Sequence, residues 1–273
     1  MITWKQPLIG YEWLVHQIWY LQVSDEEPTT LRPNLIPNPR AHIVFTPPDQ
    51  PYHYTRSSQL FAGKGSHLLT ASEYLLNLND HPPLQRIGIT LRPEGLYLFN
   101  TKAATQINQC FWAGWINEQF PAHFHASLWQ CANKNEVARY LETYFKSINF
   151  NLNQDKAFKL TQTANIHLDK DSQSLTIPEI ANLCACSRRT LERSFRQVTG
   201  LSLKKYQMLL KLERMVLALY GEEGNVDWAA FSQQFGFTDQ SHLIRALKQQ
   251  LMRTPSRYLK NRDLTIDIYG DFE

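Results

Sequence analysis

Three arginines recur at helical spacing near residue 190, and a second polar set repeats their positions 52 residues later. Arg189, Arg193 and Arg196 fall at i, i+4 and i+7, so they share one face of a helix. The matching positions further along the chain are Ser241, Arg245 and Lys248. An arginine can donate two hydrogen bonds to O6 and N7 of guanine, while glutamine or serine can reach other base edges. The two sets therefore predict chemistry directed at nucleic acid.

Each set lies on the second helix of a predicted helix-turn-helix, and the pattern occurs twice, at Leu175 to Gly200 and at Val226 to Pro255. Apolar positions repeat at an offset of 51 in the first helix and turn, and at 52 in the second helix. The turn of the second copy is therefore predicted to be one residue longer. A helix-turn-helix places its second helix in the DNA major groove.

Local signals define the first copy closely. Thr176 and Glu179 form a capping box, Pro178 falls in the first turn, and Ser187 can cap the second helix. Gly200 is placed to end that helix. Its inward face is predicted from the i, i+3, i+4, i+7 spacing to carry Leu191, Ser194, Phe195 and Val198.

A second class of basic residue is suited to phosphate, which positions a protein on DNA without specifying sequence. This class consists of Arg188, Arg196, Lys204, Lys205, Lys248 and Arg257. For Arg196 and Lys248, near the helix ends, a solvated side chain is an equally good interpretation.

The charge distribution supports the same assignment. Residues 1–150 hold 11 Lys and Arg against 11 Asp and Glu, whereas residues 187–262 hold 14 against 6, a net charge of +8. Clustered basic charge is the electrostatic footprint of phosphate binding, and a merely solvated basic surface is the alternative.

Between the copies, Leu203 to Tyr220 contains no glycine or proline and has helical apolar spacing. Eighteen residues would give a rod of about 27 Å, against about 34 Å for one turn of DNA. Such a rod could hold both recognition helices on one side of the duplex, or it could be an ordinary core helix.

The rest of the chain indicates an α+β protein of two domains. Residues 1–150 are predicted to form a β-rich barrel or sandwich, with strands at Trp13–Val23, Ala41–Pro47 and Leu84–Pro93 and helices at 101–119 and 132–147. A helix over Lys156–Leu168 leads into an all-α domain at 155–262, with a tail at 263–273. The helix at 132–147 could close its own domain or pair with a second chain, so a monomer and a homodimer both remain open.

Composition excludes several classes. No apolar run approaches the ~20 residues of a membrane helix, and no signal peptide is evident. The four cysteines are too few for a disulfide scaffold, so we expect reduced thiols and a cytoplasmic protein. No cofactor is predicted. Scattered histidines are favoured over a metal site because no ligand spacing is recognisable.

The last hundred residues resemble the DNA-binding domain of AraC/XylS-type transcription regulators. The first copy keeps the pattern of Ala181, Ser187, Leu191, Arg193, Phe195 and Gly200. The second keeps Gly236-Phe237, Gln240 to His242, Arg245, Thr254-Pro255 and Tyr258. By resemblance, bases would be contacted by Arg189, Arg193, Gln240, Ser241 and Arg245.

The second copy departs from that family at several positions. The family usually has Arg at Lys211 and Ala at Met215 and Ser232. It usually has Phe at Leu243 and Leu247, and Gly at Met252. We therefore expect the second unit to be repacked, with the angle of its recognition helix affected.

The first hundred residues resemble more loosely the amino-terminal domain of one subset of these regulators, through Leu35–Phe45, Phe61–Gly65 and Ile87–Gly95. That resemblance implies sensing and names no ligand. A set of aromatic residues could line a small-molecule pocket, but core is favoured for most of them; the set is Trp4, Trp13, Trp19, Tyr20, Tyr52 and Tyr54. Cys186 is expected to be buried at the first turn, with redox sensing a minor alternative.

The hypothesis from sequence is a bacterial-type transcription regulator that binds promoter DNA through two recognition helices. Its candidate partners are a small-molecule effector and RNA polymerase, with no membrane. The alternatives are a ligand-binding or partner-binding module with degenerate DNA binding, and, with less support, a DNA-targeted enzyme.

Overall fold

The computed structural model describes residues 2–25, 34–112, 114–148, 150, 155–170, 175–221 and 226–260. Within these ranges a β-rich amino-terminal part precedes an all-helical carboxy-terminal part, as the sequence predicts. The predicted tail at 263–273 lies outside the described residues, as does most of the predicted boundary at 149–155.

Two antiparallel sheets pack face to face in the amino-terminal part. The first sheet has the order β1 (Ile2–Gln6), β2 (Val15–Val23), β9 (Leu84–Leu91), β4 (His42–Phe45), β7 (His67–Leu69) and β10 (Cys110–Phe111). The second has the order β3 (Asn34–Leu35), β8 (Leu76–Leu78), β5 (Pro51–Arg56) and β6 (Gln59–Lys64). The three strands predicted from sequence are β2, β4 and β9, which lie together in the larger sheet.

The larger sheet is covered on both faces. In β2, Trp19 and Leu21 point into the core between the sheets, while Ile18 belongs to the core on the opposite face. Side chains alternate across a strand, so Ile43 and Val44 of β4 lie on opposite faces of the sheet. Since both faces are covered, β4 is buried along its whole length.

Five helices cover the outer face of this sheet. They are α1 (Gly95–Phe99), α2 (Thr101–Ala104), α3 (Gly114–Gln119), α4 (Ala122–Leu128) and α5 (Lys134–Ser147). The helix predicted at 132–147 is confirmed as α5. The continuous helix predicted at 101–119 is wrong, because Asn108 turns with φ of 60° and Cys110 then pairs with Leu69 at the sheet edge.

The carboxy-terminal part consists, in the described residues, of seven helices. They are α6 (Lys156–Lys170), α7 (Ile177–Leu183), α8 (Arg188–Thr199), α9 (Leu203–Gly221), α10 (Trp228–Gln234), α11 (Gln240–Leu251) and α12 (Pro255–Lys260). The helix predicted before the first copy is confirmed as α6. None of the helices in the described ranges has the length and apolar character needed to cross a bilayer.

The space between the sheets is filled by side chains. Trp19 lies opposite Gly88 in the β2–β9 register, and a Cβ atom at Gly88 would come within 1.9 Å of the indole ring. Tyr54 and Tyr52 are also buried there, which confirms that these aromatics are core. Only glycine at position 88 leaves room for the indole.

Gly88→Ala should therefore destabilise the protein, because the Trp19 ring must move in a close-packed core. Overpacking of this kind typically costs about 1–3 kcal/mol, which chemical denaturation would measure. Gly114→Ala is the matched control, since its Cβ would be 3.8 Å from the Trp112 ring. Equal stabilities for the two variants would contradict the tight fit at Gly88.

Candidate nucleic-acid interface

The two helix-turn-helix copies keep their sequence offsets in the structure. The first helices, α7 and α10, begin at Ile177 and Trp228, 51 residues apart. The second helices, α8 and α11, begin at Arg188 and Gln240, 52 residues apart. The longer turn predicted for the second copy is confirmed.

Side-chain caps fix the start of all four helices. The predicted capping box of Thr176 and Glu179 is present, and its hydrogen bonds to Thr176 lower the pKa of the Glu179 carboxyl. Ser187 caps α8 by accepting a hydrogen bond of 3.2 Å from the Thr190 amide. In the second copy the caps are Asp227 and Asp239. Those two aspartates were missed in the sequence, although an acidic residue directly before each helix was the available signal.

Each copy contains two residues in the left-handed backbone region at matching places. In the turns these are Ala185, with φ of 50°, and Gly236, with φ of 64°. At the ends of the recognition helices they are Gly200, with φ of 74°, and Met252, with φ of 54°. Each copy therefore has glycine at one left-handed position and a side chain at the other.

The faces of the recognition helices divide as the spacing predicts. In α8, the predicted inward residues Leu191, Ser194, Phe195 and Val198 are buried. Arg189, Arg193 and Arg196 are exposed on the other face. In α11 the buried residues are Leu243, Leu247 and Leu251, whereas the exposed residues are Gln240, Ser241, Arg245 and Lys248. The predicted base-contacting side chains are all accessible, and base contact itself stays a prediction.

The other phosphate candidates lie in different surroundings. Arg188 pairs with Glu192 one turn further along α8, at 3.1 Å between Nε and Oε1. Lys204 and Arg257 are exposed. Lys205 is half-buried, with its Nζ atom 3.8 Å from Glu73 of the amino-terminal part. A phosphate at Lys205 would therefore have to share that lysine with Glu73.

The second unit has an apolar core of its own, and whether it is repacked relative to the family stays a prediction. Leu243 and Leu247 are fully buried with Met215 of α9, three of the positions at which the sequence departs from the family pattern. Lys211 of α9 holds its Nζ atom 4.2 Å from the centroid of the Phe237 ring, a cation–π contact with the longer turn. Burial lowers the pKa of Lys211.

The end of α8 packs against the amino-terminal part. Val198 is buried in the core formed by the larger sheet and helices α1–α5. A Cβ atom at Gly200 would lie 2.7 Å from Ile107 and 3.0 Å from the carbonyl oxygen of Thr105, so glycine is needed for this close approach as well. The Gln197 amide donates to the Tyr97 hydroxyl at 3.1 Å.

A second junction joins the amino-terminal part to α9. Arg40 donates from Nη1 to both carboxylate oxygens of Glu213, at 3.0 and 2.9 Å, and both side chains are nearly buried. Ile36 is fully buried in the core of the second unit. These contacts link residues more than 170 positions apart, and no local sequence signal indicates them.

The cysteine expectation at the first turn is corrected. Cys184 is the buried member of the pair, and Cys186 is only half-buried. Cys184 lies one α-helical turn after Ile180 and continues the inward face of α7. Burial raises the pKa of the Cys184 thiol to about 11, so the reactive thiolate is scarce at neutral pH.

Among the described residues there is no cluster of three or more His, Cys, Asp or Glu side chains able to hold a metal ion.

Comparisons with known proteins match this geometry. Residues 180–261 match a family model described as a helix-turn-helix domain, of the AraC type. The Msm operon regulatory protein of Streptococcus mutans is 29% identical over 101 residues, which are 37% of this chain and only 36% of that relative's length. The structure of ToxT from Vibrio cholerae superposes with a TM-score of 0.50 and 12% identity, over 96% of this chain and 99% of ToxT. The last likeness shows a shared α+β fold.

Replacing Met252 by glycine should stabilise the second unit, because a side chain in the left-handed region costs roughly 1–2 kcal/mol. Met252 is 72% exposed, so little packing is lost. Thermal unfolding would measure the gain, and Met252→Ala is the control, since alanine keeps the backbone strain. If glycine and alanine give the same midpoint, strain at this position is not what limits stability.

The Arg40–Glu213 pair should couple the two parts strongly. Arg40→Met leaves a nearly buried carboxylate without this partner, at an expected cost of about 3–5 kcal/mol. The double variant with Glu213→Met should recover much of that loss in denaturant unfolding. Arg92→Met is the matched control, because the Arg92–Asp169 pair is far more exposed and should be worth about 1 kcal/mol or less. If the stability losses of the two single variants simply add in the double variant, the two side chains are not coupled.

Proposed function

We propose, from the match of residues 180–261 to an AraC-type helix-turn-helix family model, that this chain is a sequence-specific transcription regulator. In this proposal α8 and α11 enter successive major-groove faces of promoter DNA. Arg189 and Arg193 contact bases from the first unit, and Gln240, Ser241 and Arg245 from the second. The observation that carries the proposal is the matched pair of capped helices, each with its apolar face buried and its polar stripe exposed.

The connecting helix supports a single-chain arrangement. The 19 residues of α9 span about 28 Å at 1.5 Å per residue, which is comparable with the ~34 Å turn of B-DNA. Leu212, Met215 and Val216 of α9 are buried in the second unit, while Tyr206 and Leu209 are buried in the first. One rigid helix is thus shared by both cores, so the two recognition helices are held in a fixed relation.

Control by an effector at the amino-terminal part is included in the proposal. Its support is the direct packing of that part on α8 and α9, through Val198 and through the Arg40–Glu213 pair. A conformational change in the amino-terminal part would therefore act directly on α8 and α9, and through them on both helix-turn-helix units. The division into domains at residues 1–150 and 155–262 belongs to the same proposal.

A module with degenerate DNA binding is the second candidate, favoured by the left-handed Met252 at the end of α11. Strain there would leave the second recognition helix less securely placed. The two candidates differ in what the second unit contributes, because a degenerate unit would not discriminate between base sequences.

We expect Arg193→Ala to weaken binding more than Arg245→Ala, because α8 is supported by both parts of the molecule. Loss of a bidentate base contact typically costs about 1–3 kcal/mol, or roughly 5- to 150-fold in affinity. The measurement is fluorescence anisotropy on a duplex selected from genomic fragments with the full chain. Arg139→Ala, an exposed arginine on α5, is the matched control and should change nothing.

The salt dependence separates the two kinds of contact. Lys204→Ala should weaken binding to all duplexes and reduce the slope of log affinity against log salt by about one phosphate contact. Arg193→Ala should instead reduce the preference for the selected duplex. DNA binding that is insensitive to salt, or absent for every fragment, would contradict the proposed function. An unchanged preference in Arg245→Ala would support the degenerate module.

A further inference from the structure

A cleft of about 570 Å³ lies on the amino-terminal part, away from the helix-turn-helix units. It is formed between the turn after β4, the end of β6, and helices α3 and α4. Its volume falls within the range of small-molecule sites, about 300–1,000 Å³. The side chains used in the argument below are Thr46, Lys64, Trp112, Phe120, His125 and Trp129.

The floor of the cleft is a rigid aromatic cluster. Phe120 is fully buried, with its ring centroid 5.0 Å from Phe45 and 4.9 Å from Phe124. His125 packs edge-on against Phe45 at 5.7 Å. The indoles of Trp112 and Trp129 add further aromatic lining, and Trp112 is 54% exposed. Such surfaces favour an aromatic ligand, since aromatic pairs add about 0.5–1.5 kcal/mol beyond the area they bury.

Two buried polar atoms of the lining residues have no hydrogen-bond partner. They are Thr46 Oγ1 and Trp129 Nε1. Thr46 is only 1% exposed, and its amide is already bonded to Ser66 Oγ at 3.2 Å, which fixes the residue in place. Unpartnered buried groups cost about 1–3 kcal/mol each. A molecule bound in the cleft would supply partners for these two atoms and remove that cost.

The electrostatics of the cleft favour an anion. Of the described residues that line it, only Lys64 is charged at neutral pH, and its side chain is exposed at the rim. Burial lowers the pKa of His125, so its ring is neutral there. The indole Nε1 of Trp129 can only donate a hydrogen bond. A carboxylate would pair with the ammonium group of Lys64, and its oxygens are suitable acceptors for an indole donor.

The filled interior of the sandwich supports the same location. Trp19, Tyr52 and Tyr54 occupy the space between the sheets, and a Cβ atom at Gly63 would lie 2.4 Å from the Tyr52 hydroxyl oxygen. Small-molecule binding by the amino-terminal part is therefore better placed in the open cleft on its outer face.

We propose that this cleft binds a small aromatic carboxylate, with the ring between the indoles of Trp112 and Trp129 and the carboxylate at Lys64. Only the regulatory consequence of binding rests on the proposed function; the binding itself does not. An occupied cleft would make this molecule the effector of the DNA-binding domain.

The test uses 2-naphthoate as the probe and 2-naphthamide as its uncharged counterpart. Titration calorimetry with the full chain should give saturable 2-naphthoate binding, and tryptophan fluorescence should change as Trp112 is covered. Lys64→Met should weaken 2-naphthoate binding roughly tenfold, as expected for one partly exposed charge-assisted contact, and leave 2-naphthamide unchanged. Lys146→Met, an exposed lysine on α5, is the matched control.

A second variant tests the location. Ala126→Phe should fill the cleft from α4 and abolish binding of both probes, whereas His123→Phe adds the same bulk at another exposed position of α4. Thermal unfolding would confirm that both variants are folded. Absence of binding, equal affinity for the two probes, or binding that survives Ala126→Phe would overturn the proposal. Self-association abolished by Ala126→Phe, with no probe bound, would also overturn it by assigning the cleft to a second copy.

DNA anisotropy with and without 2-naphthoate separates this proposal from the proposed function. Probe binding without any DNA binding would support the cleft and refute the regulator. DNA binding without probe binding would refute the cleft alone.

Discussion

The burial of α8 on two sides is the constraint on which the arrangement of this molecule depends. Leu191 and Phe195 anchor the helix in its own helix-turn-helix unit, while Val198, one turn later, is buried in the core of the amino-terminal part. Gly200 then ends the helix where any side chain would collide with Ile107. A helix fixed in this way can present an arginine stripe only on its remaining face, so the position of that stripe is set by packing on both parts of the chain.

The second unit reaches a similar result by different means. Its recognition helix is held by leucines, and Lys211 places a cation over the Phe237 ring of the turn. The left-handed positions show that neither unit is simply the better formed. The first unit carries its unfavourable backbone at Ala185 in the turn, and the second carries it at Met252 after the helix. The two units therefore differ less in their own backbone strain than in the elements that pack around them.

Local signals made the helical part predictable from sequence, because caps, turns and helical spacing act over four or five residues. The capping box at Thr176, the stop at Gly200 and the extra turn residue all follow from such signals. The segment 101–119 was misjudged because Cys110 takes strand geometry from a partner strand some forty residues away. The Arg40–Glu213 pair and the cleft near Thr46 depend on which distant elements meet, and a single sequence does not encode that in a readable form.

The cleft and the proposed DNA-binding helix α8 both lie against one core. Phe120, which forms the floor of the cleft, and Val198, near the end of α8, belong to the same buried cluster, together with residues of helices α1, α2 and α5. Cores at native density transmit displacement because they contain little free volume. A ligand that covers Trp112 and fills the cleft would act on this cluster from one side, and α8 packs against it on another. Communication between the two sites thus needs no separate hinge, only a shift in packing within a core that both already share.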